Sequence, residues 1–159
     1  MAWTTPRTWA AAEVVTANIM NTHVRDNLKA LTEWTSYTPS WTATGGTPSL
    51  GNGTLTGHYL LAGNLLAIRI ALTWGSTTSA TGTSVWRFSL PSGITAPPPN
   101  ALQAFSYDSS ANINYSAIGF GDTTTLGAGT HGGQNVGNTI PFTWATGDAL
   151  VIQGVAVAS

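Results

Sequence analysis

Charge is what this sequence has least of. Five of its 159 residues are Lys or Arg and six are Asp or Glu, so 7% are charged, against about 25% in typical soluble domains. The formal net charge of −1 argues against a nucleic-acid partner, which requires a basic surface. Because 42% of the residues are hydrophobic, the composition still predicts a folded chain. So little charge also predicts that partners cover much of the surface.

Cysteine is absent altogether, which excludes disulfides and thiolate zinc sites. The three histidines, His23, His58 and His131, lie far apart and have no carboxylate at a metal-site spacing, so we expect no metal. The longest apolar stretch, residues 60–74, is interrupted by polar residues and is too short to span a membrane. The first residues lack a basic region followed by an apolar core, so we expect no secretory signal and synthesis in a cytoplasm.

Catalytic motifs are also missing. The sequence has neither the Gly-x-Ser-x-Gly elbow of serine hydrolases nor a phosphate-binding Gly-x-x-x-x-Gly-Lys loop. Asp108 and Asp122 could be neighbours in a hairpin, and glycoside hydrolysis needs two facing carboxylates. Turn capping is the alternative we favour, because Asp in a tight turn bonds its own backbone. We therefore predict a protein that is not an enzyme, with no catalytic residue, metal or cofactor.

One helix is predicted, over residues 17–31, with Thr16 as its N-cap. Apolar residues follow at spacings of three and four and form one stripe. The stripe either packs on the chain's own β-domain or pairs with copies of itself, and we favour self-association. Asn27 falls at a heptad-like position, where a lone Asn often sets register and oligomer number. The candidate oligomer or anchor interface consists of Trp9, Ile19, Met20, Val24, Asn27, Leu28 and Leu31.

Beyond residue 33 the apolar period changes to two, which is typical of strands between turn residues. The pattern predicts a mainly β fold, an eight-stranded antiparallel β-sandwich that resembles a jelly roll. An immunoglobulin-like sandwich is the alternative, but its buried Cys pair is missing. Residues 1–33 form an N-terminal arm and helix, and residues 34–159 the β-sandwich domain. The predicted strands are residues 34–43, 53–61, 64–74, 84–90, 101–108, 111–120, 138–144 and 148–157.

Two further features bear on function. Residues 126–138 are rich in glycine and show no periodicity, which predicts a functional or mobile loop. The chain has seven tryptophans: Trp3, Trp9 and Trp34 flank the helix, and the other four lie in predicted strands. Exposed aromatic side chains could form a carbohydrate-binding face. We favour core and subunit contacts, because each Trp buries a large area.

Three groups of residues resemble proteins of bacteriophage particles. The N-terminal segment, with Thr8-Trp9, Glu13-x-Val15-Thr16-Ala17 and Met20-Asn21-x-x-Val24-Arg25-Asp26-Asn27-Leu28, resembles the opening of many structural proteins of phages that infect actinobacteria. The segments at residues 37–41, 49–59 and 88–91 are similar to β-domains of minor tail, fibre and other virion surface proteins. The ending Trp144-x-x-Gly147-Asp148-x-Leu150 resembles the last strand pair of trimeric jelly rolls of the tumour necrosis factor type.

The resemblance implies a virion component, often trimeric, with an N-terminal anchor, an outer β-domain and no catalytic residues. The helix leads straight into the β-domain, which favours a compact capsid decoration protein or a small tail-tip or collar protein over a long fibre. We therefore expect a non-catalytic homotrimer on the capsid or tail surface of the virion. Its partners would be its own copies and major capsid or tail proteins. The alternative is a receptor-binding tail-tip module that recognises a host cell-surface glycan or protein.

Overall fold

The computed structural model of the chain describes residues 4–81 and 85–159. Trp3, which was predicted to flank the helix, and Ser84, the first residue of the predicted fourth strand, lie outside the described residues. Helix α1 consists of α-helical Ala17–Met20, π-helical Asn21–Arg25 and α-helical Asp26–Ala30. The strands within these ranges are β1 Thr35–Tyr37, β2 Trp41–Ala43, β3 Pro48–Ser49, β4 Thr54–Ala62, β5 Leu65–Thr73, β6 Ser79–Ala80, β7 Trp86–Ser89, β8 Leu102–Asp108, β9 Ile113–Gly121, β10 Thr125–Thr130 and β11 Ala149–Val157.

Helix α1 begins where the sequence predicts and differs in its middle. The hydroxyl of Thr16 accepts a hydrogen bond from the Ile19 amide at 3.3 Å, which confirms the predicted N-cap. The predicted continuous α-helix is wrong at Asn21–Arg25, where the backbone makes one wider π-turn. Such turns shift the angular position of the side chains that follow and are frequent at functional sites. The apolar stripe of the helix is therefore rotated partway along its length.

One antiparallel sheet of nine strands forms the body, in the order β1-β4-β5-β11-β8-β9-β10-β7-β2. A flat sheet of nine strands would separate its edges by about 38 Å. The edge strands β1 and β2 are joined by three residues only, and so short a connection spans no more than about 14 Å. The sheet therefore curls until its edges approach, and Tyr37 Oη donates a hydrogen bond to the Ser89 carbonyl at 3.2 Å across the gap.

The predicted fold class is confirmed: the chain is mainly β and antiparallel, with an arm and one helix before the sheet. The predicted eight strands of a sandwich are nine strands of one curled sheet, and the buried apolar residues form a single core cluster. Alternation places one face of each long strand inside. Leu66, Ile68, Ile70 and Leu72 of β5 are fully buried and pair in register with inward positions of β11.

Aromatic rings fill one end of the core. The ring of Trp86 is fully buried and lies 5.0 Å from that of Trp41, 5.6 Å from Trp74 and 4.9 Å from Trp144, measured between centroids. Three of these four tryptophans are buried and Trp41 is half-buried. Their predicted role in the core is thus confirmed. Trp74 directly follows β5, and Trp144 lies in an irregular segment before β11, so neither is in a strand, contrary to the prediction.

The structure differs from the predictions for residues 126–138 and 138–144, and the reasons are the backbone properties of glycine and proline. The predicted loop at 126–138 begins with strand β10, which pairs with β9 and β7. Gly127 fits there because a Cβ would lie 2.8 Å from the Trp86 carbonyl and 3.3 Å from the Arg87 side chain. The predicted strand at 138–144 does not form, and Gly137 and Ile140 close a tight turn instead. Pro141 lacks the amide that a central strand requires.

The predicted strand at 34–43 is divided in two. Pro39 interrupts it, and its two parts become β1 and β2 at opposite edges of the sheet. The Ser40 amide is satisfied by the Ser89 hydroxyl at 2.9 Å instead of by a ladder partner. The two-residue strands β3 and β6, which were not predicted, pair with each other in a small second sheet.

Candidate interaction surface

The N-terminal arm is tied to helix α1 through Asn27, which is buried. Its side-chain oxygen accepts a hydrogen bond from the Thr4 amide at 2.9 Å, and its amide nitrogen donates to the carbonyls of Thr4 at 2.8 Å and His23 at 3.2 Å. The amide of Asn27 is therefore satisfied within its own chain. Its part in setting the oligomer number stays a prediction, and the structure buries Asn27 instead of placing it on the exposed side of the helix.

Trp9 lies in the arm, with 43% of its surface exposed. The guanidinium of Arg7 sits 5.0 Å above its ring, and Arg7 also pairs with Glu13. Glu13 accepts a further hydrogen bond from the Ala10 amide at 3.2 Å. The arm thus holds a compact turn that presents an aromatic ring at the surface.

Four of the predicted interface residues form an exposed apolar ridge, which we call the helix stripe. It consists of Met20, Val24, Leu28 and Leu31, each with 37–60% of its surface exposed. Ile19, also in the predicted set, is half-buried. The helix contacts β4 near its end, where Ala30 is buried. Packing of the stripe on its own β-domain, the first of the two alternatives, is therefore wrong. Its pairing with other copies stays a prediction.

A second exposed apolar surface, which the sequence analysis missed, lies on the outside of the sheet. We call it the outer sheet face, and it consists of Leu65, Phe105, Ile118, Val155 and Val157. Strand register places Val157 opposite Leu65 at one end of the face, and Ile118 opposite Gln103, two residues from Phe105, at the other. Gln153 lies between the two groups, paired with Arg69 and Gln103. A signal existed in the sequence: β5 and β11 carry apolar residues at both inward and outward positions, which is typical of strands covered on both faces.

Trp34 connects the helix stripe to the outer sheet face. It follows Leu31 by three residues, and its ring is half exposed. Together with Ala67, Arg69 and Val155, it lines an open depression of about 340 Å³ on the outside of the sheet. An exposed aromatic ring thus lies between the end of the helix and the outward side chains of β5 and β11.

The two acids considered as a hydrolytic pair lie far apart. Asp108 is the last residue of β8 and pairs with the first residue of β9, whereas Asp122 follows the last residue of β9. The length of β9, roughly 30 Å, therefore separates the two acids. The expectation that they could be hairpin neighbours is wrong. Each caps its own turn: Asp108 accepts from the amides of Ser110 and Ala111 at 3.0 Å, and Asp122 from those of Thr124 and Thr125.

The cap at Asp122 makes stability depend on pH. Slight burial acts to raise the pKa of this carboxyl, but hydrogen bonds from Thr124 and Thr125 and the charge of Arg87 outweigh it, so the pKa lies below its ordinary value of 3.8. The carboxylate therefore stabilises the fold above pH 3.8, and this contribution is lost as the pH falls through the lowered pKa. We expect the difference in unfolding free energy between the protein and Asp122→Asn to shrink below about pH 4. Urea titrations at pH 7 and pH 3 measure this, and a constant difference would contradict it.

Within residues 4–81 and 85–159, no three His, Asp or Glu side chains come together in a way that could hold a metal ion. No helix in this part of the chain has the length and apolar character needed to cross a membrane. The glycine-rich segment at residues 126–138, predicted to be a functional or mobile loop, is largely a strand and a tight hairpin.

No known protein family, characterised protein or solved structure matches this chain.

Proposed function

We propose that this protein is a non-catalytic structural component of a phage virion that assembles as a homotrimer on the capsid or tail surface. The observation that carries the assembly part of the proposal is the exposed helix stripe. A short amphipathic helix is marginal on its own and gains its stability from burial of its apolar side. The resemblance of residues 8–28 to phage structural proteins supports the virion part.

The distribution of charge supports assembly by apolar burial. Among the described residues the three ion pairs, Arg7–Glu13, Arg25–Asp26 and Lys29–Glu33, all belong to the arm and helix. The two remaining arginines, Arg69 and Arg87, lie in the β-domain. Salt weakens interactions between exposed charges and affects apolar burial far less. An assembly held by the helix stripe should therefore tolerate salt.

We expect the purified protein to keep the mass of an oligomer at every salt concentration from about 0.05 to 1 M. Light scattering coupled to gel filtration measures this mass. Leu28→Glu is expected to yield monomers, because it places a charge in the middle of the helix stripe. Ile113→Glu is the matched control, since Ile113 is similarly exposed but lies on the β8–β9 hairpin. A monomer at all concentrations of the unaltered protein contradicts the proposal.

The virion part of the proposal is tested on intact phage particles. Antibodies raised against the purified chain should label the head or tail surface in electron micrographs. Labelling of the head supports a decoration protein, and labelling of the tail supports a tail-tip or collar protein. Particles that contain no such chain contradict the virion assignment and leave the assembly result unaffected.

A further inference from the structure

The turn before β4 and the turn after β5 are held together at one end of the sheet. Strands β4 and β5 pair as far as Thr54 and Thr73, and beyond the turns β3 pairs with β6. The two turns, residues 50–53 and 75–78, lie between these two regions of pairing. Backbone pairing on both sides therefore keeps the turns side by side, and we call the contact between them the turn lock.

Asn52 is at the centre of the turn lock. Its side-chain oxygen accepts hydrogen bonds from the Thr77 amide at 2.9 Å and the Thr77 hydroxyl at 3.0 Å, and its side-chain nitrogen donates to the Ser76 hydroxyl at 3.0 Å. The backbone amide of Asn52 donates in return to the Thr77 hydroxyl at 2.9 Å. The carboxamide is thus held at its oxygen and its nitrogen, and both acceptor positions of the oxygen are filled.

Close backbone contact leaves the two turns little room for movement. A Cβ on Gly75 would lie 2.3 Å from Asn52 Oδ1 and 2.5 Å from the Gly53 nitrogen. A Cβ on Gly51 would lie 2.4 Å from the Thr77 carbonyl oxygen. Only residues without a side chain fit so closely, so the turns pack backbone against backbone around Asn52.

The chemistry of Asn52 is set by the residue that follows it, because it is the one Asn of this chain that precedes a glycine. The Gly53 nitrogen has no Cβ beside it and is therefore the least hindered nucleophile for the Asn side chain. In the reaction this nitrogen loses its proton to solvent and bonds to Cγ, the Cγ–Nδ2 bond breaks, and ammonia leaves. Water then opens the cyclic imide to Asp or isoaspartate. The dipeptide alone thus predicts spontaneous deamidation at Asn52.

We propose that the turn lock suppresses this reaction, so that Asn52 is deamidated only when the two turns separate. The attacking nitrogen is engaged, because the Gly53 amide donates its hydrogen to the Leu50 carbonyl at 2.9 Å. Hydrogen bonds to Oδ1 would stabilise the charge of an attacked carboxamide, but only after the nitrogen has reached Cγ. Attack therefore waits for the turns to open, and its rate falls with the small fraction of open molecules.

The reaction is measured by peptide mass spectrometry after the whole protein has been kept at mildly alkaline pH, with the Asp and isoaspartate products separated by chromatography. The folded protein is compared with the same protein unfolded in urea. We expect Asn52 of the folded protein to react at least about tenfold more slowly, because two or more hydrogen bonds must break before attack. Equal rates in the folded and the unfolded protein overturn the proposal.

Thr77→Val removes the hydroxyl of the turn lock and is expected to raise the rate at Asn52 several-fold. Thr130→Val is the matched control, since the Thr130 hydroxyl also donates one hydrogen bond and accepts another within a turn, both with the Gln134 backbone. The control should leave the rate at Asn52 unchanged, and equal rates in the two variants contradict the proposal. Ser76→Ala removes one acceptor only, and its faster reaction at Asn52 is the required result if Thr77→Val does not fold.

Asn138, which precedes a threonine, is the internal reference in the same digests. Acceleration confined to Asn52 supports a local lock. Equal acceleration at Asn138 would mean that the variant loosens the whole fold, and it overturns the assignment of the protection to the turn lock. None of these results depends on the proposed assembly, which is tested separately by light scattering.

Discussion

Trp86→Ala is expected to lower the free energy of unfolding by about 3–5 kcal/mol. The indole of Trp86 is fully buried and has three other tryptophan rings within 5.6 Å. Its removal leaves a large cavity that rigid aromatic neighbours are unable to fill by relaxation. Urea titration followed by far-ultraviolet circular dichroism measures the change without relying on tryptophan fluorescence.

Trp9→Ala is the control for this substitution, because Trp9 is 43% exposed and contacts Arg7 in the arm. At equal protein concentration it should cost less than about 1 kcal/mol. Equal losses for the two variants would mean that Trp86 does not lie in the core. The comparison also bears on function. Substitution of an exposed tryptophan that bound sugar would weaken sugar binding and leave the free energy of unfolding almost unchanged.

Asp148→Ala is expected to cost about 3–4 kcal/mol, because it leaves buried donors without an acceptor. The Asp148 carboxylate is fully buried and accepts hydrogen bonds from the Ser109 amide and hydroxyl, both at 2.8 Å, and from the Ala145 amide at 2.6 Å. It thereby joins the β8–β9 hairpin to the turn that precedes β11. Thermal unfolding of the two proteins, with calorimetric enthalpies, gives the difference.

Asp108→Ala provides the matched control for Asp148→Ala. Asp108 also accepts hydrogen bonds from two backbone amides and one hydroxyl. Its turn is exposed, however, so water replaces the lost acceptor and the loss of stability is smaller. If the two alanine variants unfolded at the same temperature, burial would not be what makes Asp148 important.

The features predicted well from the sequence are those that depend on local chemistry. Thr16 caps the helix because its hydroxyl accepts a hydrogen bond from a first-turn amide that has no partner within the helix. The alternating residues of β4, β5, β8, β9 and β11 formed strands within two residues of the predicted bounds. The alternation is readable because each of these strands buries one face over part of its length, and a shift by one residue would turn that face outward.

The features predicted poorly depend on contacts between distant segments. Nothing near Gly127 in the sequence shows that the Arg87 side chain and the Trp86 carbonyl lie against it. Without that knowledge a glycine-rich run is predicted to be a loop, although β10 is a central strand between β9 and β7. The division at Pro39 was readable from proline's missing amide, but the placement of β1 and β2 at opposite edges was not.

The candidate surface was only partly predictable. The helix stripe follows from residue spacing, and Met20, Val24, Leu28 and Leu31 are all exposed together. Asn27 is buried because the N-terminal arm packs beside the helix and the Thr4 backbone hydrogen-bonds to the Asn27 side chain. Residue spacing alone does not predict this contact. The outer sheet face needed knowledge of which strands are neighbours, because Ile118 joins Phe105 through β8–β9 pairing.

The short edge strands have a consequence for how this protein avoids fibrous aggregation. Unpaired backbone groups at a sheet edge can template growth, and many proteins block them with lysines. This sequence has a single lysine, Lys29, and it lies in the helix. The edges β1 and β2 are instead three residues long each and close together. A chain with a single lysine thus offers almost no backbone at its sheet edges to which a further strand could add.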